Sequence, residues 1–204
     1  MRKLIVLPLL LVCAWSDAKT PTLAAEAWEI QYSTGVKLNA PAPGQEFSFN
    51  FPRTPGSVRY VTRPATRPAG GAIHAAFTIA ANGAAFDFRT APDNTCTAPA
   101  AVRLFLQRNG DDMSGAGPYE HYRWWSIAST VLKNGSFAMD VALKPSAWTS
   151  VFGKSGDASP AAFAAAIADV GAVGVTFGGG CFAGHGVGIR DGGAAFTMTR
   201  FAVE

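Results

Sequence analysis

Apolar and polar residues alternate with a period of two in several short stretches: Phe47-Ser48-Phe49-Asn50-Phe51, Phe86-Asp87-Phe88, Val102-Arg103-Leu104-Phe105-Leu106, Phe137-Ala138-Met139-Asp140-Val141-Ala142-Leu143 and Val173-Gly174-Val175-Thr176-Phe177. Successive side chains of an extended chain point to opposite faces, so these runs predict half-buried strands. Between them stand Asn82-Gly83, Asn109-Gly110, Asn134-Gly135 and Asp191-Gly192-Gly193, where glycine tolerates the positive φ of a tight reversal. Many short strands with frequent turns predict an all-β sandwich or barrel. One stretch departs from the pattern. Ser159 to Gly171 is alanine-rich, with Phe163, Ile167 and Val170 at helical spacing. Ser159 suits the N-cap, Pro160 the first helical position and Gly171 the stop, so a short helix is expected near residues 160–170. The tandem Thr62-Arg63-Pro64-Ala65-Thr66-Arg67-Pro68-Ala69 reads as a loop or edge extension, because proline donates no backbone N–H.

The chain begins Met1-Arg2-Lys3 and continues uncharged from Leu4 to Ala14. That run is shorter than the roughly 20 apolar residues of a membrane span and has the form of a secretion signal. Cleavage is expected after Ala18 in Ser16-Asp17-Ala18; Ala25-Glu26-Ala27 fits too but lies farther from the apolar run. The rival is a lipoprotein modified at Cys13 in Leu10-Leu11-Val12-Cys13, against which Val12 stands where a small residue is usual. On the first reading residues 1–18 are a signal peptide, residues 19–204 form one domain, and the protein is secreted or periplasmic.

Charged residues make up 15% of the 204, and the net charge is +3. Losing Arg2, Lys3 and Asp17 lowers it by one. The arginines are scattered among Thr, Pro and Gly, without the basic stripe that nucleic-acid binding requires. Removal of Cys13 leaves Cys96 and Cys181, an even count in a compartment that permits oxidation. One disulfide is expected, two buried free thiols being the alternative. Cys181 with His185 is a single pair at ligand spacing, so no metal is expected.

No nucleophile elbow, phosphate loop, dinucleotide fingerprint or zinc-protease helix is present, and no catalytic residue or cofactor is assigned. Glu120 with Asp111 or Asp112 is the carboxylate pair to test for glycoside hydrolysis. Asp111-Asp112 is also a possible calcium corner, although calcium needs six or more oxygens. His74, inside a strand-like run, reads as structural. The densest feature is Tyr119-Glu120-His121-Tyr122-Arg123-Trp124-Trp125-Ser126, in which alternation sets Tyr122 and Trp124 on one face and Arg123 and Trp125 on the other. One face must be core, and the other would carry an outward Trp among polar neighbours, the composition of a sugar platform; the alternative buries both Trp residues. Thr176 to Val187 holds glycines at 178, 179, 180, 184 and 186, with His185 accessible between two of them.

The order of a Tyr122-Arg123-Trp124-Trp125 strand, a Val141 to Trp148 strand, a short helix, Val173 to Phe177 and a terminal Ala195 to Phe201 strand resembles the galactose-binding-like jelly-roll modules, over roughly residues 28–204. The resemblance implies a two-sheet jelly roll that binds carbohydrate, in a family often found beside polysaccharide-degrading enzymes and often carrying a structural calcium. The function expected is a secreted, non-catalytic, carbohydrate-binding domain using Tyr122, Arg123, Trp124, Trp125, His121, Asp111 and His185. A glycan-active hydrolase or lyase and a protein-binding surface module are the alternatives.

Overall fold

The computed structural model describes residues 28–65, 67–68, 70–88 and 96–204. The expected signal, its cleavage site and Cys13 lie outside the described residues, as do Thr66 and Ala69 of the tandem repeat.

Antiparallel sheets dominate. One has the path β1 (Glu29–Gln31), β3 (Tyr60–Pro64), β11 (Val170–Gly179), β6 (Ala100–Arg108), β7 (Arg123–Ser126) and β10 (Trp148–Thr149), with β8 (Thr130–Val131) also paired to β6. The other runs β2 (Phe47–Asn50), β13 (Gly193–Val203), β4 (Ala72–Asn82) and β9 (Gly135–Ala142). A two-stranded ribbon of β5 (Phe86–Phe88) and β12 (Val187–Ile189) completes the β structure. The predicted strands form as β2, β5, β6, β9 and β11, and the architecture is all-β and sandwich-like. Burial alternates in β2 and β9, whereas β5 is evenly half-buried and β6 and β11 are covered on both faces rather than half-buried.

The inward residues explain why these strands form. Ile73, Ala75, Phe77 and Ile79 of β4, Phe196 and Met198 of β13 and Phe47 and Phe49 of β2 are buried from one side; Val102, Leu104 and Leu106 of β6 and Val173, Val175 and Phe177 of β11 from the other. Each large side chain removed from water contributes about 1.5–3 kcal/mol before chain entropy is set against it. Phe177 stands edge-on to Phe49 and Phe196 at 5.6 and 5.2 Å, locking the two sheets together.

The helix α1 spans Pro160–Ala168 and buries Phe163 and Ala166, with Phe163 edge-on to Trp124 at 5.1 Å. It begins at Pro160 as expected, but Ser159 makes no side-chain cap and the helix stops before Gly171. Asp169 ends it: its carboxylate accepts from Arg108 Nε and Asn109 Nδ2, both at 3.0 Å, and turns the chain into β11. Gly171 sits instead at a bulge in β11, where a Cβ would come within 2.3 Å of Asn109 Oδ1.

Two further expectations are corrected. Thr62 to Pro64 belongs to β3, an interior strand between β1 and β11, with Pro64 at its last position. Val141 to Trp148 is not one strand: β9 stops at Ala142, and a 3-10 turn at Pro145–Ala147 precedes β10.

Cys96 and Cys181 form the expected disulfide, with Cα atoms 6.0 Å apart. It closes a loop of 85 residues, for which chain entropy sets a ceiling of about 4–5 kcal/mol. Among the described residues, no helix is long and apolar enough to cross a membrane.

Candidate functional site

On the face of the larger sheet that points away from the sandwich core, the strands carry large side chains. Tyr60 of β3, Phe105 of β6 and Trp125 of β7 form a second buried cluster, with ring centroids 5.0 and 5.7 Å apart in series. Met113, Val151 and Ala183, all from turns, cover it. Register puts Phe105 opposite Trp125 and Leu106 opposite Trp124, so the two tryptophans do face opposite ways. The expectation that one of them is accessible is overturned: Trp124 is 0% and Trp125 5% exposed. Trp124 lies under α1, and Trp125 lies under the turns that cover the outer face.

Beside Trp125 the cover is incomplete, leaving a cavity of about 630 Å³. Arg103 and Trp125 contribute to its sheet side, Ile127 and the turn through Phe152 form one wall, and Gly180 to His185 the other. Phe152 is 69% exposed at the tip of its turn, and His185 is exposed beside Phe182, its ring 5.0 Å away and edge-on. The disulfide anchors the second wall through Cys181. Gly184, at φ +76°, allows that wall to descend onto the sheet, since a Cβ there would approach Tyr60 Oη to 2.2 Å.

Arg103 holds the walls in register. Its Nη1 donates to the carbonyls of Ser126 and Ile127 at 2.6 and 2.5 Å, and its Nη2 to that of Gly180 at 3.0 Å. Burial pushes the Arg103 guanidinium below its ordinary value. Trp125 Nε1 and Ser150 Oγ, on buried residues of the lining, have no hydrogen-bond partner among the described residues.

The other expected residues are distributed around this cavity rather than gathered in it. Arg123 and Asp111 make a buried ion pair at 3.1 Å on the same outer face, and Asp111 also accepts from Gln107 Nε2 and the Met113 amide. Burial raises the Tyr60 hydroxyl above its usual value, opposed by the Arg123 charge and hydrogen bond. His121 stacks on Trp124, on the side of the sheet facing α1, and its carbonyl accepts from Trp124 Nε1. Tyr122 lies beneath the Arg108 guanidinium at 4.8 Å. His74 pairs across strands with Asp140, as a structural histidine would.

The carboxylates singled out for hydrolysis are engaged elsewhere: Asp111 with Arg123, and Glu120 with Lys154 at 2.6 Å. The Lys154 ammonium holds the Glu120 carboxyl below the usual range, opposite to what a general acid needs. Asp112 accepts from the Ser114 amide at 2.8 Å. Among the described residues, no group of three or more His, Cys, Asp or Glu side chains is placed to hold a metal ion.

No family model, curated protein or solved structure matches the chain. The site therefore rests on its own geometry, in which Arg103, Phe152, Phe182 and Ser150 join Trp125 and His185. Arg103 had a signal in the sequence, as the one charge inside an otherwise apolar run. Phe152, at the end of Trp148-Thr149-Ser150-Val151-Phe152, had none that separates it from a core residue.

Proposed function

We propose that this protein is an exported, non-catalytic binding domain of jelly-roll architecture whose cavity beside Trp125 takes a carbohydrate. Its strand order supports the architecture. In the order of the chain, β2, β3, β4, β6, β7, β9, β11 and β13 pair first with last, β2 with β13, then β3 with β11, β4 with β9 and β6 with β7. Alternate pairs go to opposite sheets, as when one long hairpin is rolled up on itself. The disulfide supports export, because such bonds persist mainly in oxidising compartments.

The observation that carries the binding reading is the cavity itself. Its volume is in the range of small-molecule sites, about 300–1,000 Å³. It combines the rings of Phe152 and Phe182, for stacking on the C–H faces of a sugar, with Arg103, His185, Ser150 and the Trp125 indole N–H, which suit hydroxyls. Two of these polar groups, the Trp125 indole N–H and Ser150 Oγ, are buried without partners among the described residues, and a hydroxyl-rich ligand supplies them.

Glycan-array binding of the wild type and of Phe152→Ala tests the reading. A retained glycan whose binding weakens by about 1–2 kcal/mol in the variant, at unchanged melting temperature, supports it. An array on which no glycan is retained, or on which F152A binds as the wild type does, overturns it.

A further inference from the structure

Among the described residues the cavity lining carries Arg103 and His185 and no carboxylate. Among the described residues Arg108 faces Asp169, Arg123 faces Asp111, Arg190 faces Asp87 and Arg200 faces Glu204, whereas Arg53, Arg59, Arg63 and Arg67 are in no ion pair. Of these Arg63 lies over the Trp28 and Phe201 rings, and none lines the cavity. Arg103 belongs to none of the ion pairs among the described residues. Three carbonyl oxygens orient its guanidinium, but a carbonyl is a dipole and leaves the charge uncompensated. A guanidinium has five N–H donors, and these contacts occupy three. Lys154, just past the Phe152 turn, is paired with Glu120 at 2.6 Å.

A half-buried cation without a counter-charge is costly, and one that lines an open cavity is where an outside anion can complete the pair. We infer that the ligand is an anionic sugar, its carboxylate or sulfate ester drawn to the Arg103 end of the cavity while its ring meets Phe152 and Phe182. The inference rests on the carbohydrate reading and deepens it. Neutral sugars of the same shape leave Arg103 unpaired and bind more weakly. The attraction is screened by salt, so binding of the charged ligand falls as ionic strength rises.

The deciding experiment uses protein produced from the full-length chain. Neutral galactan, galacturonan and sulfated galactan oligosaccharides of matched length are titrated at low and high salt into the wild type, Ile127→Glu and Ile127→Gln. Ile127 is 47% exposed on the cavity wall and its carbonyl is one of the three that hold Arg103, so the glutamate supplies an internal anion without removing the arginine. At least one charged oligosaccharide is expected to bind about tenfold or more tightly than the neutral one, and I127E to weaken that binding about tenfold beyond I127Q. Preference for galacturonan assigns the carboxylate, preference for the sulfated galactan the ester. Equal affinity for all three sugars, or equal loss in I127E and I127Q, overturns the anionic inference and leaves the carbohydrate reading standing. Failure of all three sugars to bind, with no glycan retained on an array, overturns both.

Discussion

The two outer faces of the sandwich make opposite use of the same alternation. On the four-stranded sheet, Ser48, Thr197, Thr78 and Ser136 stand in one row across β2, β13, β4 and β9, flanked by Ala195 beside Ala80 and Ala76 beside Ala138. These side chains are small and leave the sheet open, needing nothing above them. On the larger sheet the outward positions are Tyr60, Phe105, Arg123 and Trp125, which cannot stay bare and are roofed by turns carrying Met113, Val151 and Ala183. A roof built from separate turns has an edge, and the cavity lies where it ends. What marks the candidate functional face is therefore large outward residues under an incomplete cover, rather than exposed aromatics as such.

The sharpest way to break this comparison is to remove matched residues from the two faces. Trp125→Ala is expected to cost about 3–5 kcal/mol, measured by denaturant unfolding, because the ring is buried in the second cluster. Thr78→Ala, outward on the smaller sheet, should stay within about 0.5 kcal/mol. Similar losses at the two sites would mean that the outer faces do not differ as described.

Asp111→Ala probes the polar part of the roofed face. It strands Arg123 in a buried setting and takes away the acceptor of the Met113 amide, so a loss of about 3–5 kcal/mol is expected in thermal or chemical unfolding. A loss below about 1 kcal/mol would show that the pair is solvated and the roof open.

The smallest effect is expected at Asp169, whose exposed carboxylate is held below its usual range by Asn109 and Arg108. A depressed carboxylate contributes stability that is present above its unfolded pKa of about 4 and lost as the pH falls through the lower folded value. The wild type and Asp169→Asn should therefore differ slightly at neutral pH and converge in acid. A difference that grows with acidification would contradict the assignment.

Much of this was written in the alternation. Phe47-Ser48-Phe49 and Val102-Arg103-Leu104 are strands whose side-chain period matches the pleat, Val173 to Phe177 is a strand but buried on both faces, and the opposite facing of Trp124 and Trp125 follows from the same rule. The even cysteine count led to the disulfide. The roof was not legible, because Met113, Val151 and Ala183 belong to turns far apart in sequence, and only tertiary packing brings them over Trp125. An outward Trp was expected to be a wet one, since the sequence assigns a side to a side chain but not what covers that side. Gly171 misled for a related reason: a glycine after an alanine-rich stretch looks like a helix stop, whereas close approach to Asn109 requires it one turn later.

The central claim is that the edge of the roofed face, and not the open Ser/Thr face, receives a ligand. Two-dimensional NMR of the isotope-labelled protein, titrated with the glycan best retained on an array, tests it most directly. The account predicts shifts at the Trp125 indole N–H and at the amides of Phe152 and residues 180–185, with Thr78 and Thr197 unmoved. Shifts confined to Ser48, Thr78, Thr197 and Ser136, or a Trp125 indole signal that ignores every glycan tried, would contradict it.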